Sequence, residues 1–558
     1  MEFVILDFET TGLDPESSEI IEIGALRVAF QVETRTLEVL QKLNLLVKPA
    51  GAIPRAISEL TGITHEMLAE APPLEECLEV FRDFLSDSTI VAHNSQLEQS
   101  FLDRHVSPKL GGLAFDVQDS IHLFGILLCD QSSHSMDTLR AWGQLSSENA
   151  HRALQDVEDL FALLVKGLRF LEHSRPHLRD LVTKLHPEWW WSWYFHTPAP
   201  RDPLSFLTRS SDEEVPDLRK LSQADVDRDE TPWTKEEWKN HLEVGAAQTR
   251  FEKADLPKRA PQLQMTESVL QAARLRQKIA IEAPTGTGKS LAYLVPTLLS
   301  AQKSQLPWVV STHSKSLQDQ LLSKDLPQAI EMVGGPLQGV TVKGQENYLC
   351  LRKLAHEIEG VLSEFELEPE RRYAVLLLSA LASLRRPVEL DQISPYLKGR
   401  MKPLEDMSYE VRSHHTTTQG PPCKFYRSCH FFESARRAHT AQILIANHAL
   451  TFRWPEHLPK LRQVVFDEAH HLEDQLTDVF SSELTEDALL SHFESVTKKF
   501  RKLRSDQALK LSEIASNARL DLRELSEQIP HALDRKKRGK RQMDGFEQYF
   551  EFQPLDPD

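Results

Sequence analysis

The sequence has few cysteines, no long apolar run and no excess of positive charge, and each shortage removes a class of protein. No stretch approaches the ~20 apolar residues that a membrane-spanning helix needs. The N-terminal MEFVILDFET enters a strand-like run with no basic region before it, so no secretory leader is expected. Five cysteines in 558 residues do not make a disulfide framework. A formal net charge of −18 argues against bulk attraction to nucleic acid and leaves local patches as the means of any such contact. With 40% hydrophobic and 27% charged residues, a soluble, cytoplasmic, several-domain protein with no membrane partner is expected.

The first informative stretch is IEAPTGTGKS, Ile281 to Ser290, where an apolar run breaks into a turn rich in glycine and threonine. A phosphate-binding loop needs small residues so that successive backbone N–H groups converge on one anion. It also needs a lysine for the outer phosphates, a hydroxyl for Mg²⁺ and a helix N-terminus behind it. Thr285, Gly286, Thr287, Gly288, Lys289 and Ser290 supply that set, with Ala283 where the strict pattern has its first glycine. The plain alternative is a flexible strand-to-helix turn. Downstream, VVFDEAHHLED at 464–474 reads as a strand delivering Asp467 and Glu468 at its C-terminal end. One carboxylate is then available for Mg²⁺ and the next for orienting the attacking water. Strands are expected in front of both motifs.

A second catalytic inventory lies at the N-terminus. FVILDFE reads as a buried strand ending in Asp7 and Glu9, two apart and so on one face. VAHNSQLEQSFL at 91–102 ends a strand and opens a helix carrying Glu98, and HRALQDVEDL at 151–160 brings His151 and Asp156 to the start of another. Carboxylates hold hard cations, paired cations activate water and steady a leaving oxygen, and a histidine takes the water's proton.

These segments resemble the three motifs of the DEDDh 3′-to-5′ exonucleases over roughly the first 170 residues. The resemblance implies a ribonuclease H-like fold, Mg²⁺ or Mn²⁺ held by Asp7, Glu9, Glu98 and Asp156, His151 as general base, and a DNA strand with a 3′ end as substrate. One departure stands out: the second motif carries Glu98 where that family has aspartate. Glutamate keeps the charge and reaches one methylene farther, ~1.5 Å.

Between phosphate loop and DEAH box, NYLC, ANHAL and three cysteines (Cys350, Cys423 and Cys429) resemble the iron–sulfur domain of DinG helicases, relatives of XPD. That resemblance implies ATP as cofactor, Gln262 as an adenine reader, and a 4Fe–4S cluster for which only three of four cysteines are present. Thr418 stands at the place of the fourth, with His414, His415 and His430 nearby. It also implies DNA repair as the setting.

The expected architecture is α/β: an exonuclease domain over 1–170 and a linker over 171–245. A RecA-like lobe follows over 246–342 and 441–475, with a cysteine-bearing helical insert over 343–440, and an arch-like helical region begins over 476–558. Within the linker, Trp189 to Phe195 is strongly aromatic and reads as a packed junction in preference to a base-stacking platform, because no basic residue interleaves it. The run RKKRGKR at 535–541 reads as a solvated loop in preference to a phosphate grip. No motif of a second motor lobe follows. The arginine that such a lobe contributes is worth ~10³–10⁵ in related phosphoryl transfers, so this chain is expected to unwind DNA poorly by itself. Two alternatives remain: an exonuclease with a non-translocating, regulatory ATP-binding lobe, and a DNA-binding protein with decayed sites.

Overall fold

The structure is a computed structural model. It describes residues 1–146, 151–208, 215–218, 220–222, 260–275, 277–364, 367–384, 386–415, 418–481 and scattered positions between 510 and 520. The chain divides into two compact units, Met1–Ala469 and His470–Asp558. Most of the acidic linker at 211–230, the basic run at 535–541 and most of the expected 476–558 region lie outside the described residues. In the second unit the helix Leu472–Phe480 is described. No helix among the described residues is long and apolar enough to cross a membrane.

Strands β1 (Glu2–Thr10), β2 (Ile20–Gln31), β3 (Thr36–Leu46), β4 (Ile90–Ala92) and β5 (Val117–Asp119) form a mixed sheet of order β3-β2-β1-β4-β5. β1 and β2 pair antiparallel, as do β2 and β3, whereas β4 and β5 add in parallel. Both faces of the sheet are covered, and the period-two alternation assigns them. Phe3 and Ile5 belong to one apolar cluster, and Val4, Leu6 and Phe8 to another. Asp7 and Glu9 therefore continue the row begun by Phe3 and Ile5.

The aromatic stretch closes that face. Trp191, Tyr194 and Phe195 are fully buried, and Trp193 lies 4.6 Å from Phe30 and 5.6 Å from Phe3 between ring centroids. The same apolar cluster takes in Tyr373, Leu376, Leu397 and Leu404 from the cysteine-bearing segment. One glycine makes this approach possible. A Cβ on Gly125 would fall 2.6 Å from Tyr373 Oη and 2.9 Å from Leu397 Cδ1. The nuclease-like sheet, the aromatic stretch and the cysteine-bearing segment thus share one core.

A second sheet, wholly parallel, contains β6 (Trp308–Thr312), β7 (Gly339–Thr341), β8 (Ile443–Asn447) and β9 (Val464–Phe466) in the order β7-β8-β6-β9. The helix Lys289–Ser304 packs on it through Leu294, Val295 and Leu298. Only one of the two strands expected before the motifs is present. β9 precedes Asp467, but residues 277–284 form no strand. A strand needs a neighbour: β9 is an edge of the sheet, no described strand covers the segment, and Ile279 and Ile281 are 48% and 39% exposed.

Candidate active site

At the end of β1, the carboxylates of Asp7, Glu9 and Asp156 offer oxygens that all lie within 4.8 Å of one another. Backbone geometry puts Asp156 there. Its helix, Ala153–His173, packs on the sheet through Val157, Leu160, Leu164 and Leu168, and Gly24, paired with Asp7 across β1 and β2, makes room for its first residues. A Cβ on Gly24 would fall 2.2 Å from the Ala153 carbonyl carbon. The first turn of a helix favours negative charge, and Asp156 occupies it.

The cluster is short of cation. Burial, then Glu98, Asp156 and Glu9, push the Asp7 carboxyl far above the usual carboxylate range. Burial, followed by Asp156 and Glu22, raises Glu9 to about 8. Burial also raises Glu98 to about 8, with Asp119 and Glu9 adding to it. Glu98 is 3% exposed, and its Oε2 has no hydrogen-bond partner among the described residues. Buried carboxylates that repel one another, one with an unpaired oxygen, are the donor set hard divalent cations take. Glu98 thus joins the cluster electrostatically even though it lies outside the close trio. His151, at a φ of 65°, sits beside Asp156, which takes a hydrogen bond from the His151 main chain.

Several charged residues around this cluster were not anticipated. Arg140, 3% exposed, donates from Nη2 to Asp156 Oδ1 at 2.6 Å and from Nε to Asp159 Oδ2 at 2.7 Å. Arg152 grips the fully buried Glu22 with two hydrogen bonds of 2.7 and 3.0 Å, and the Ala153 N–H adds a third at 3.0 Å. Asp119 caps the helix Ser120–Leu127 through the Ile121 N–H and accepts from the N–H groups of Asn94 and Ser95 at 3.1 and 3.2 Å. A charged residue inside an apolar strand, as Glu22 is in Ile20–Gln31, was the one sequence signal of these pairings.

The second candidate site is the phosphate loop. Gly286 and Gly288 have φ of 78° and 82°, a region that side-chain-bearing residues resist. Gly288 leads the helix Lys289–Ser304, and Thr287 Oγ1 donates to Pro284 O at 2.6 Å. Lys289 Nζ lies 3.6 Å from Glu468 Oε1, and Tyr293 Oη donates to Asp467 Oδ2 at 2.9 Å, so loop and DEAH carboxylates meet. Ser290 hydrogen-bonds Tyr293, and Thr285 is exposed on the loop. Gln262, buried on the helix Ala260–Leu275, donates to Gly288 O at 2.9 Å and thereby touches the loop itself.

Cys350, Cys423 and Cys429 line a single pocket with Thr418, Ser413 and Tyr426. Burial, and then the neighbouring Cys350 and Cys423, push the Cys429 thiol up to about 11, with main-chain hydrogen bonds opposing. Three thiols around one pocket suit a thiophilic group. Thr418 does not complete the set, since its Oγ1 accepts from Gln345 Nε2 at 2.5 Å and donates to His414 O at 2.8 Å. His414, His415 and His430 are not among the residues lining the pocket. His414 Nε2 instead lies 3.1 Å from Glu346 Oε1, and its ring is 4.2 Å from that of His415.

A mixed sheet whose first strand ends in acidic side chains, set against the N-terminus of a long helix, defines an α/β, ribonuclease H-like exonuclease domain. Residues 4–164 match the exonuclease family model RNase_T. The chain is 29% identical over 495 residues to the 3′-5′ exonuclease DinG of Bacillus subtilis, covering 84% of this chain and 50% of that protein. It is 25% identical over 502 residues to the DinG of Staphylococcus epidermidis, covering 86% of this chain and 51% of that one. The chain is thus similar to these DinG proteins over most of its own length, and it spans about half the length of the curated relatives it matches. Among solved structures, exonuclease X in complex with 5′ overhanging duplex DNA matches at 22% identity and TM-score 0.24 over 31% of this chain and 92% of its own. The nuclease domain of 3′hExo, a DEDDh family member bound to rAMP, matches at 19% and 0.26 over 31% and 94%.

Proposed function

We propose that the chain is a metal-dependent 3′-to-5′ exonuclease acting on single-stranded DNA or DNA 3′ ends, joined to the ATP-binding portion of a DinG-type helicase. The observation that carries this reading is the convergence of Asp7, Glu9 and Asp156, with buried Glu98 beside them. Those four would hold Mg²⁺ or Mn²⁺, which supply charge neutralisation and an activated water when bound. His151 removes the proton of the attacking water and hands it to solvent. Arg140 fixes the rotamer of Asp156, and the Arg152–Glu22 pair anchors the start of the helix that carries it.

In the second site, a RecA-like lobe, the loop Thr285–Ser290 takes the phosphates, Lys289 the outer ones, and Ser290 with Asp467 a Mg²⁺. Glu468 orients water and Gln262 reads the adenine. Cys350, Cys423 and Cys429 would hold three corners of an iron–sulfur cluster. The second reading, a nuclease whose ATP-binding lobe regulates or positions it, is favoured by the core that the exonuclease domain shares with the cysteine-bearing segment.

One assay tests the proposal: degradation of end-labelled single strands and partial duplexes, with and without ATP. Asp7→Ala is expected to abolish metal-dependent degradation, and Lys289→Ala to abolish ATP binding and any effect of ATP. Wild-type rates in Asp7→Ala would overturn the nuclease reading.

A further inference from the structure

The turn that carries the second acidic motif is held from two sides. Asn94 has a φ of 61°, a left-handed conformation that asparagine adopts more readily than other residues with a side chain. One support comes from within the exonuclease domain, where Asp119 accepts the Asn94 and Ser95 N–H groups. The other comes from far along the chain, from the short helix Pro395–Arg400 in the segment between the phosphate loop and the DEAH carboxylates. Tyr396 Oη donates to Asn94 Oδ1, and Arg400 Nη2 donates to Gln96 Oε1 at 2.5 Å. The Arg400 guanidinium lies over the Tyr396 ring at 4.4 Å, so each residue steadies the other.

The helix that begins at Gln96 continues through Leu102–Val106, where Phe101, Leu102 and Val106 are buried in the core, but its start has no side-chain cap at Ser95 and carries Glu98 in its first turn. The core holds the far end, and the setting of the first turn is left to what touches its start. The bracing helix is itself anchored, because Leu397 is buried in the shared core against Gly125. Tyr373, also from the cysteine-bearing segment, donates to His122 O in the helix that Asp119 caps.

We propose that Tyr396 and Arg400 are positioning residues for the nuclease: they brace the Asn94–Gln96 turn and so set how Glu98 meets the divalent ion. The proposal rests on the nuclease reading above. It makes the segment between the two ATP-site motifs a structural part of the nuclease site.

The test is Mn²⁺ binding by the full chain, followed by calorimetry and electron paramagnetic resonance, alongside the Mn²⁺ dependence of degradation. Asp7→Ala identifies the portion of binding that belongs to the nuclease cluster and separates it from the phosphate-loop site. Tyr396→Phe removes one hydroxyl at the surface, and Arg400→Ala removes the second contact. Each is expected to weaken nuclease-site Mn²⁺ affinity roughly twofold to tenfold, the worth of one hydrogen bond, with KM for DNA and thermal midpoint unchanged. At saturating Mn²⁺ the rate should return toward wild type, and Arg400→Lys should restore part of the affinity. An unchanged Mn²⁺ isotherm in the double variant Tyr396→Phe/Arg400→Ala, with Asp7→Ala still abolishing that binding, overturns the brace and leaves the nuclease reading standing. If Asp7→Ala leaves both Mn²⁺ binding and degradation intact, it is the nuclease reading that fails.

Discussion

Arg140 and Asp156 form a hydrogen-bonded ion pair of 2.6 Å at the rim of the carboxylate cluster, and Arg140 spends its second edge on Asp159. Both partners of the outer pair are nearly inaccessible to water. Removing the arginine strands a buried carboxylate, which typically costs ~3–5 kcal/mol. Arg140→Met is therefore expected to lower stability by about that amount in urea denaturation, and to reduce nuclease activity even at temperatures where the variant is folded.

Gly24 is a space requirement. A methyl group there meets the main chain of Ala153, which cannot step aside as a side chain could. Gly24→Ala is expected to push the helix start, and Asp156 with it, away from Asp7. The measurable result is a large loss of metal-dependent degradation with a stability cost of ~1–3 kcal/mol. ATP binding at the distant loop should be untouched.

The raised carboxyls predict a pH dependence of stability in the absence of metal. Glu9 and Glu98 hold their protons up to about 8 in the folded protein, whereas in an unfolded chain they release them near ~4.3. Between those values the folded state binds more protons, so the stability these two groups confer is complete at low pH and is lost as pH rises. Melting in EDTA should show the midpoint falling between about pH 5 and pH 8. Mg²⁺ should restore it, most strongly at the alkaline end. A midpoint that rises over the same range with Glu9→Gln and wild type alike would contradict the electrostatics of the site.

Thr418 offers a gain-of-function test of the thiol pocket. The wild type, purified without oxygen, is expected to be brown and to carry several irons per chain, with Cys350→Ser losing them. Thr418→Cys supplies a fourth thiol from a residue that already lines the pocket. It is expected to raise iron content and slow bleaching in air, measured by absorbance and iron analysis.

The parts of the site that could be read from the sequence were those encoded over short distances. Asp7 and Glu9 share a strand face because they are two apart, and Gly286, Gly288 and Lys289 lie within one loop. The residues that escaped notice act across long separations: Arg140 on Asp156, Arg152 on Glu22, Tyr396 on Asn94. A pairing of this kind leaves at most a one-sided trace, such as the charge of Glu22 inside an apolar strand. The aromatic stretch was legible as a junction, since a dense set of rings without interleaved cations is packing material. The strand expected before the phosphate loop failed for a different reason. Ile279 to Glu282 has strand-like composition, but a strand is a relationship with a neighbour, and sequence records only one of the two participants.

That uncovered segment has a practical consequence for handling the protein. Among the described residues no strand pairs with the outer edge of β9, and Ile279 and Ile281 are exposed on the approach to the phosphate loop. Apolar backbone at an unsealed margin is adhesive, because any extended peptide that reaches it can pair there. Self-association through that margin is opposed by the formal net charge of −18 and should grow as added salt screens it, which light scattering across ionic strength would show.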